Sequence, residues 1–202
     1  MPANTAHSTE QAAASPWRHL PNAITLLRIA LVVPLVFAIA REDFDTALIL
    51  VVIAGVSDAL DGLLAKRCGW QSWLGGVLDP IADKILLVAC FVSLYLAGVM
   101  PGWLTWLALA RDAVIVAGAA TYHFVVGRFT PQPLLSSKIT TTLQIVLVVA
   151  LLVDRTSWFE LPAMLLQALI WLTALATALS GVQYVLVWSG RAREVWAQRS
   201  RR

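Results

Sequence analysis

The chain has 202 residues, of which 59% are hydrophobic and 13% are charged, and its mean hydropathy is +0.75. A water-soluble domain has about 25% charged residues, so this composition excludes an ordinary soluble protein and predicts an integral membrane protein. At about 20 residues per crossing, the length allows roughly six transmembrane helices with short connections and leaves no room for a soluble domain.

The N-terminal part of the chain changes from polar to apolar. Residues 1–16 are rich in Ala, Ser and Thr and lack the pattern of a signal peptide, so we expect a disordered start. The first transmembrane helix is predicted for residues 21–40. Thr25 and Arg28 are three residues apart and therefore share a face of that helix. Arg28 either reaches the membrane interface with its long side chain or lines a polar cavity.

Four aspartates interrupt the apolar sequence where a second helix, predicted for residues 47–65, is followed by a third, predicted for residues 75–99. They are Asp58, Asp61, Asp79 and Asp83. The first two are three residues apart and the last two are four residues apart, so each pair lies on one helix face. If the two helices meet through these faces, the four carboxylates come together.

Four unpaired carboxylates near a membrane core would each cost several kcal/mol. A divalent cation removes this difficulty, and an all-carboxylate set without His or Cys favours Mg²⁺ or Mn²⁺ over zinc. Two such ions about 3.5 to 4 Å apart are usual where phosphoryl oxygens are displaced. Gly62 and Gly75 would let a ligand approach the backbone closely, and Lys66 and Arg67 supply positive charge for phosphate. These residues predict metal-assisted phosphoryl chemistry.

Further charges follow the aspartates. Lys84 is interpreted as a counter-ion for the carboxylates or as a side chain that reaches the interface, and we favour the counter-ion. The fourth helix is predicted for residues 103–126 and contains Arg111 and Asp112. Neighbours in a helix point in different directions, so these two are not expected to be each other's partner. Charged residues at that depth are candidates for function.

The fifth helix is predicted for residues 136–153 and begins with a polar face. Lys138, Thr141 and Thr142 can share that face. A lysine with two hydroxyl groups is suited to an anion, and together with Arg111 it predicts a second basic site.

The sixth helix is predicted for residues 163–188, which completes a transmembrane domain over residues 17–190. Residues 191–202 form a basic tail. Its arginines would contact an anionic membrane surface, although a plain stop signal on the cytoplasmic side explains the same charges.

The loop charges predict the orientation of the helices. The basic side would carry Arg18, Lys66, Arg67, Arg128, Lys138 and the five arginines of the tail. The other side would carry Arg41 and Arg155 against the five acids Glu42, Asp43, Asp45, Asp154 and Glu160. Because the basic side faces the cytoplasm, both termini and the aspartates are expected there. We therefore expect an all-α integral membrane protein of six transmembrane helices, located in a bacterial inner membrane, with its site facing the cytoplasm.

The spacing of the aspartates is similar to the signature of the CDP-alcohol phosphatidyltransferase family, Asp-x2-Asp-Gly-x2-Ala-Arg-x8-Gly-x3-Asp-x3-Asp. The matching positions are Asp58, Asp61, Gly62, Ala65, Gly75, Asp79 and Asp83. Lys66 stands where the family has arginine, and Arg67 follows it. Lysine keeps the charge but lacks the planar guanidinium. The resemblance extends to most of the chain.

This resemblance implies an enzyme of phospholipid synthesis that transfers a phosphatidyl group from CDP-diacylglycerol to an alcohol and releases CMP. It implies that Asp58, Asp61, Asp79 and Asp83 bind two Mg²⁺ or Mn²⁺ ions and that Asp83 is also the general base. The residues expected to bind the donor nucleotide are Gly62, Ala65, Lys66, Arg67 and Gly75. The residues expected to bind the acceptor are Arg28, Arg111, Lys138 and Thr141. Homodimers and contacts with membrane lipids are expected, and no nucleic-acid partner is.

The acceptor is expected to carry a phosphate, because its proposed site is basic. Three segments look more like the cardiolipin synthase branch of the family, whose acceptor is phosphatidylglycerol, than like the branch that uses glycerol 3-phosphate. They are Arg111-Asp112, Ser137-Lys138-x2-Thr141-x2-Gln144 and Ser180-Gly181-x2-Tyr184. An ion or metal transporter that uses the aspartates is the alternative from another class. The position of the acids at one end, away from the midplane, argues against it.

Overall fold

The computed structural model describes the backbone of residues 20–68, 73–126 and 135–199. Within these ranges it describes side chains for residues 25–58, 81–118 and 135–187 and for Ser189.

The described part of the chain folds into six helices and contains no strand. They are α1 (Leu20–Ala40), α2 (Phe44–Cys68), α3 (Trp73–Leu96), α4 (Gly102–Val126), α5 (Leu135–Arg155) and α6 (Ala163–Arg199). The all-α class and the six predicted helices are thereby confirmed for these residues. Helix α6 continues to Arg199, past the predicted end at 188 and into the segment predicted as a tail.

A tight turn joins α1 to α2. The Asp43 N–H donates to the Ala38 carbonyl at 2.9 Å and the Glu42 N–H to the Ile39 carbonyl at 3.0 Å, with Glu42 at a φ of 57°. This is the hydrogen-bond pattern that ends many helices. The Asp43 carboxylate then caps α2 by accepting from the Thr46 N–H at 3.1 Å. Hydrogen bonds from the Thr46 side chain and backbone hold the pKa of the Asp43 carboxyl below its usual value.

The turn between α3 and α4 depends on two glycines. Gly98 has a φ of 72°, and the Val99 N–H donates to the Leu94 carbonyl at 2.9 Å, so α3 ends in the same way as α1. A Cβ on Gly102 would lie 2.6 Å from the Tyr95 ring. Gly102 therefore lets the start of α4 lie directly against the end of α3.

The largest buried apolar side chains and the two buried arginines lie toward different ends of the bundle. The largest fully buried apolar side chains are Leu35, Ile39, Phe91, Leu94, Leu104, Leu147 and Leu152. All of them lie near the described turns at residues 41–43, 97–101 and 156–162. Because the helices alternate in direction, residues further from these turns lie toward the opposite end, and it is there that Arg28 and Arg111 are buried.

The helices form two groups of three. Helix α1 packs on α2 and α3, and α6 packs on α4 and α5. The groups meet mainly where α2 contacts α5, whereas α3 makes few contacts with α4 or α5. Residues on α2, α3, α4 and α5 can therefore line spaces between the groups.

Large apolar side chains are exposed on all six helices. Examples are Phe37, Val52, Leu96, Trp106, Ile139 and Leu179. Within the described residues, Leu135–Arg155 and Ala163–Val187 have the length and hydropathy of membrane-crossing helices, and Thr25–Ala40 is a shorter apolar helix. An apolar surface of this extent is what lipid or another protein covers.

Candidate active site

Arg28 joins two of the four aspartates. Its Nη2 lies 2.8 Å from Asp58 Oδ1 and its Nη1 lies 2.6 Å from Asp83 Oδ1. One residue comes from each of α1, α2 and α3, and this arrangement follows from the packing of α1 on both other helices. The Arg28 side chain is fully buried, as is Thr25 on the same face. The polar face predicted for α1 is therefore buried against the aspartates.

Arg28, Asp58 and Asp83 form a triad, and the exposure of its two carboxylates determines which ligands it can bind. A buried guanidinium without carboxylate partners would cost several kcal/mol, so the two aspartates stabilise Arg28 where it is. Their own side chains are 48% and 50% exposed, and solvent weakens each ion pair accordingly. The three side chains carry one net negative charge. The carboxylates can therefore still interact with a cation or a ligand.

A cavity of about 130 Å³ opens beside this triad. Arg28, Asp58, Asp83 and Thr141 form its polar part. The remaining lining residues are Val51, Ala54, Gly55, Leu86, Leu87, Cys90, Ile145 and Val148. One end is thus suited to charged oxygens and the rest to an apolar group, as an amphiphilic ligand would require.

The two described aspartates are compatible with a divalent cation. Hard cations take carboxylate oxygens, and both carboxylates are half-exposed at one cavity. Among the side chains that the structure describes, no three His, Cys, Asp or Glu residues come together. The side chains of Asp61 and Asp79 lie outside the described residues, so a metal site remains a prediction. The expectation of unpaired carboxylates is corrected for these two aspartates, because Arg28 is a cationic partner of both.

A second polar cluster surrounds Arg111, which is 4% exposed. Its Nη2 donates to Ser137 Oγ at 2.7 Å and to Ser180 Oγ at 2.8 Å. Its guanidinium carbon lies 5.9 Å from the centre of the Tyr184 ring, within reach of a cation–π contact. Arg111 therefore links α4 to α5 and α6.

Two predictions about charged partners are wrong. Arg111 was not expected to pair with its neighbour, but its Nη1 lies 2.8 Å from Asp112 Oδ1. The two side chains leave the helix in different directions, and the long arginine side chain bends back to the carboxylate. Lys84 Nζ lies 2.6 Å from Asp112 Oδ2 and is not paired with the aspartates of the triad. Because Lys84 is the residue after Asp83 in the helix, its side chain points in a different direction, toward α4.

The four residues predicted to bind the acceptor do not form one cluster. Arg28 and Thr141 line the aspartate cavity, whereas Arg111 lies in the second cluster. Lys138 is exposed, next to the Ser137 that contacts Arg111. The first turns of α5 thus run between the two clusters, with Ser137 at one and Thr141 at the other.

Three residues without a predicted role contribute to these sites. Ser137 and Ser180 hold Arg111, and Gly55 lines the cavity with no atom within 4 Å of where its Cβ would be. The serines begin two of the segments that resemble the cardiolipin synthase branch, but that resemblance gave them no role of their own. Gly55 lies three residues before Asp58 and so shares its helix face, which could have singled it out.

The sequence profile of the CDP-alcohol phosphatidyltransferases matches residues 18–188. The chain belongs to the CDP-alcohol phosphatidyltransferase family. Of the residues that carry the family motif, Asp58 and Asp83 have described side chains and lie at one cavity. The other motif residues lie outside the residues whose side chains the structure describes, and they are Asp61, Gly62, Ala65, Lys66, Arg67, Gly75 and Asp79.

Several curated proteins are similar to this CDP-alcohol phosphatidyltransferase. The cardiolipin synthase (CMP-forming) of Homo sapiens is 34% identical over 193 residues, which cover 88% of this chain and 64% of the human protein. That of Rattus norvegicus is 33% identical, covering 84% and 61%. A chloroplastic CDP-diacylglycerol–glycerol-3-phosphate 3-phosphatidyltransferase of Oryza sativa is 30% identical, covering 82% and 56%. The chain thus spans less than two thirds of the length of these relatives.

Proposed function

We propose that this chain transfers the phosphatidyl group of CDP-diacylglycerol to a hydroxyl of phosphatidylglycerol, which forms cardiolipin and releases CMP. The observation that carries the proposal is the pair Asp58 and Asp83, held by one buried arginine at the mouth of a cavity that is polar at one end and apolar along the rest. The names of the human and rat relatives support the choice of acceptor.

The reaction is a displacement at phosphorus. The acceptor oxygen bonds to the phosphorus that carries diacylglycerol, the bond from that phosphorus to the CMP oxygen breaks, and the hydroxyl proton moves to the Asp83 carboxylate as general base. Asp58 and Asp83, with Asp61 and Asp79 beyond the described side chains, would hold two Mg²⁺ or Mn²⁺ ions. Such ions neutralise charge on pyrophosphate oxygens. Arg28 keeps the two described carboxylates in register, and the apolar lining takes the apolar part of the donor.

The donor and the acceptor would be bound by different residues. Gly62, Ala65, Lys66, Arg67 and Gly75 are proposed to bind the nucleotide. Arg111, Lys138 and Thr141 are proposed to bind the acceptor phosphate, with Arg28 at the junction with the aspartates. Because α5 presents Thr141 to the cavity and places Lys138 near Arg111 through Ser137, its first turns could bring an anionic acceptor toward Asp83.

Glycerol 3-phosphate is the second candidate acceptor. The name of the rice relative, which is 30% identical over 183 residues, favours it. Its phosphate would suit the same basic side chains, so their charge alone does not separate the two acceptors.

Lipid analysis of the purified protein tests the proposal. The protein is supplied with labelled CDP-diacylglycerol, Mg²⁺ or Mn²⁺, and one acceptor at a time. Cardiolipin and CMP are expected with phosphatidylglycerol. Phosphatidylglycerophosphate formed only with glycerol 3-phosphate would overturn the acceptor, and the absence of CMP with both would overturn the transferase in favour of the transporter.

The proposed setting is a membrane with the site on its cytoplasmic side. The turns that carry Glu42, Asp43 and Glu160 lie at the end of the bundle opposite Arg28, which supports one acidic and one basic side. A cysteine introduced at Ser157 should react with an impermeant maleimide added outside whole cells, and one introduced at Ser189 should not. The reverse pattern would invert the orientation.

Gly55 offers a test of the cavity as the donor site. We expect Gly55→Leu to fill part of the cavity and to raise the KM for CDP-diacylglycerol about tenfold. A tenfold change corresponds to a loss of about 1.4 kcal/mol in the binding free energy of the donor. The free energy of unfolding should not fall, because leucine favours a helix more than glycine does. Steady-state kinetics and thermal unfolding measure both. Val52→Leu, on an exposed position of the same helix, is the control, and an unchanged donor KM in Gly55→Leu would remove the donor from this cavity.

Lys138 tests the acceptor site. We expect Lys138→Ala to raise the KM for the acceptor about tenfold, the effect of losing one charge-assisted contact, and to change the donor KM little. Kinetics with each substrate varied in turn measure this difference. Arg155→Ala, at the other end of α5, serves as control. A larger change in the donor KM would reassign Lys138 to the donor.

A further inference from the structure

The contact between the two groups of helices is weakest around α3. This helix carries Asp83 and packs mainly on α1, with few contacts to α4 or α5. Phe91 and Leu94 of α3 share one apolar core with Leu104 of α4, and Asp83 lies further along α3, away from the turn that joins the two helices.

One ion pair spans this weak contact. Lys84 Nζ, on the residue after Asp83, lies 2.6 Å from Asp112 Oδ2 on α4. The Asp112 side chain is 14% exposed and that of Lys84 is 41% exposed, so the pair is partly shielded from water. Solvent therefore screens this pair less than it screens a fully exposed one.

The other oxygen of Asp112 binds the second group of helices. Asp112 Oδ1 accepts from Arg111 Nη1 at 2.8 Å, and Arg111 is itself held by Ser137 of α5 and Ser180 of α6. A single carboxylate is thus in contact with α3 on one side and with the cluster that fixes α4, α5 and α6 on the other.

We propose that Asp112 is a positioning residue that sets the separation between Asp83 and Arg111. The importance of that separation rests on the function proposed above, in which Asp83 receives the proton and Arg111 binds the acceptor phosphate. The acceptor hydroxyl and phosphate belong to one molecule, so a carboxylate that fixes both protein groups also fixes the hydroxyl relative to its base. A misplacement of about 1 Å can lower a rate about a hundredfold.

Asp112→Asn is the informative change because it keeps the shape of the side chain. The amide oxygen can still accept from Arg111, but the amide NH₂ then faces the Lys84 ammonium, and two donors cannot bond to each other. We expect kcat to fall about 10- to 100-fold, while the KM values for donor and acceptor stay close to those of the wild type. Glu160→Gln, an exposed carboxylate in the turn before α6, is the control for the change from acid to amide.

Rescue by a second substitution separates positioning from simple loss of charge. In Asp112→Asn combined with Lys84→Gln, the glutamine oxygen can accept from the asparagine NH₂ and restore a contact between α3 and α4. We expect the double variant to recover at least about tenfold in kcat relative to Asp112→Asn. Lys84→Gln alone keeps an amide donor for Asp112 and should lose less than Asp112→Asn.

A distance measurement makes the test independent of the reaction. Spin labels at Ile81 on α3 and Val116 on α4, both exposed, report the separation of the two helices by pulsed electron paramagnetic resonance. The background carries Cys68→Ser and Cys90→Ala. We expect one narrow distance in the otherwise unchanged protein, a broader or longer distribution in Asp112→Asn, and a return toward the narrow one when Lys84→Gln is added.

Two results would overturn the proposal. One is an unchanged distance distribution in Asp112→Asn, whatever happens to kcat. The other is a changed distribution in a variant that keeps the kcat of the wild type. If the unsubstituted protein forms neither phospholipid, the proposed function is wrong. The distance distributions still show whether Asp112 holds α3 and α4 together, because they do not depend on the reaction.

Discussion

Replacing Asp83 by Asn should lower the turnover number by about 10²- to 10⁴-fold, the usual contribution of a general base, while CDP-diacylglycerol still binds. The asparagine oxygen can keep the hydrogen bond that Arg28 Nη1 now donates to Asp83 at 2.6 Å, so the arrangement of α1 and α3 should survive. The amide cannot take a proton at neutral pH, and it is a poorer ligand for a divalent cation. Single-turnover kinetics and equilibrium binding of the donor measure the two effects separately.

The comparison needs a carboxylate that is remote from the cavity. Glu160→Gln makes the same chemical change in an exposed turn and should leave turnover as it is. Asp83→Asn with the turnover of the unsubstituted protein would exclude Asp83 as the base. Loss of donor binding in parallel with turnover would instead assign it to binding.

Replacing Arg28 by Lys is expected to lower both the turnover number and the free energy of unfolding. Arg28 reaches two carboxylates on different helices with two nitrogens of one planar group, at 2.8 Å and 2.6 Å. A lysine has a single nitrogen and cannot reproduce that fork. We expect turnover to fall about 10- to 100-fold because the two carboxylates lose their register. The free energy of unfolding should fall by about 1 to 2 kcal/mol, less than the 3 to 5 for a fully buried pair, since both aspartates are half-exposed.

Thermal unfolding in detergent and turnover under saturating donor measure these two changes. Arg41→Lys makes the same substitution in the exposed turn at the other end of the bundle and should change neither quantity. If Arg28→Lys were as stable and as active as the unsubstituted protein, the bridge between Asp58 and Asp83 would have no part in the site.

The helices were predictable because their signal is local. Long apolar runs alternate with short polar turns, and the predicted ranges agree with α1 through α5 to within a few residues. The end of α6 was not predicted, since the basic residues after 190 read as a tail although the helix continues to Arg199. Charged residues can extend a helix beyond its apolar part without leaving any period in the hydrophobic pattern.

The partners of charged side chains were less predictable because they depend on how the helices pack. Arg28 was expected to bind the acceptor, and its contact with Asp83 spans 55 positions of the chain. The pairing of Asp112 with both Arg111 and Lys84 requires the rotation of α3 against α4 and the reach of two long side chains. The spacing of residues along one helix contains neither kind of information. That Asp58 and Asp83 come together was expected from the helix faces on which the aspartates lie.

The burial of Arg28 has a consequence for biogenesis. Asp83, which shares the neutralisation of Arg28 with Asp58, stands 55 positions later in the chain. Ribosomes add about 5 to 20 residues per second, so Asp83 is made several seconds after Arg28. Until α3 packs on α1, a buried Arg28 lacks one of its two carboxylate partners, and an incompletely paired buried charge costs several kcal/mol. Burial of the first helix therefore depends on the third, and the carboxylates proposed for catalysis also hold the N-terminal helix in the fold.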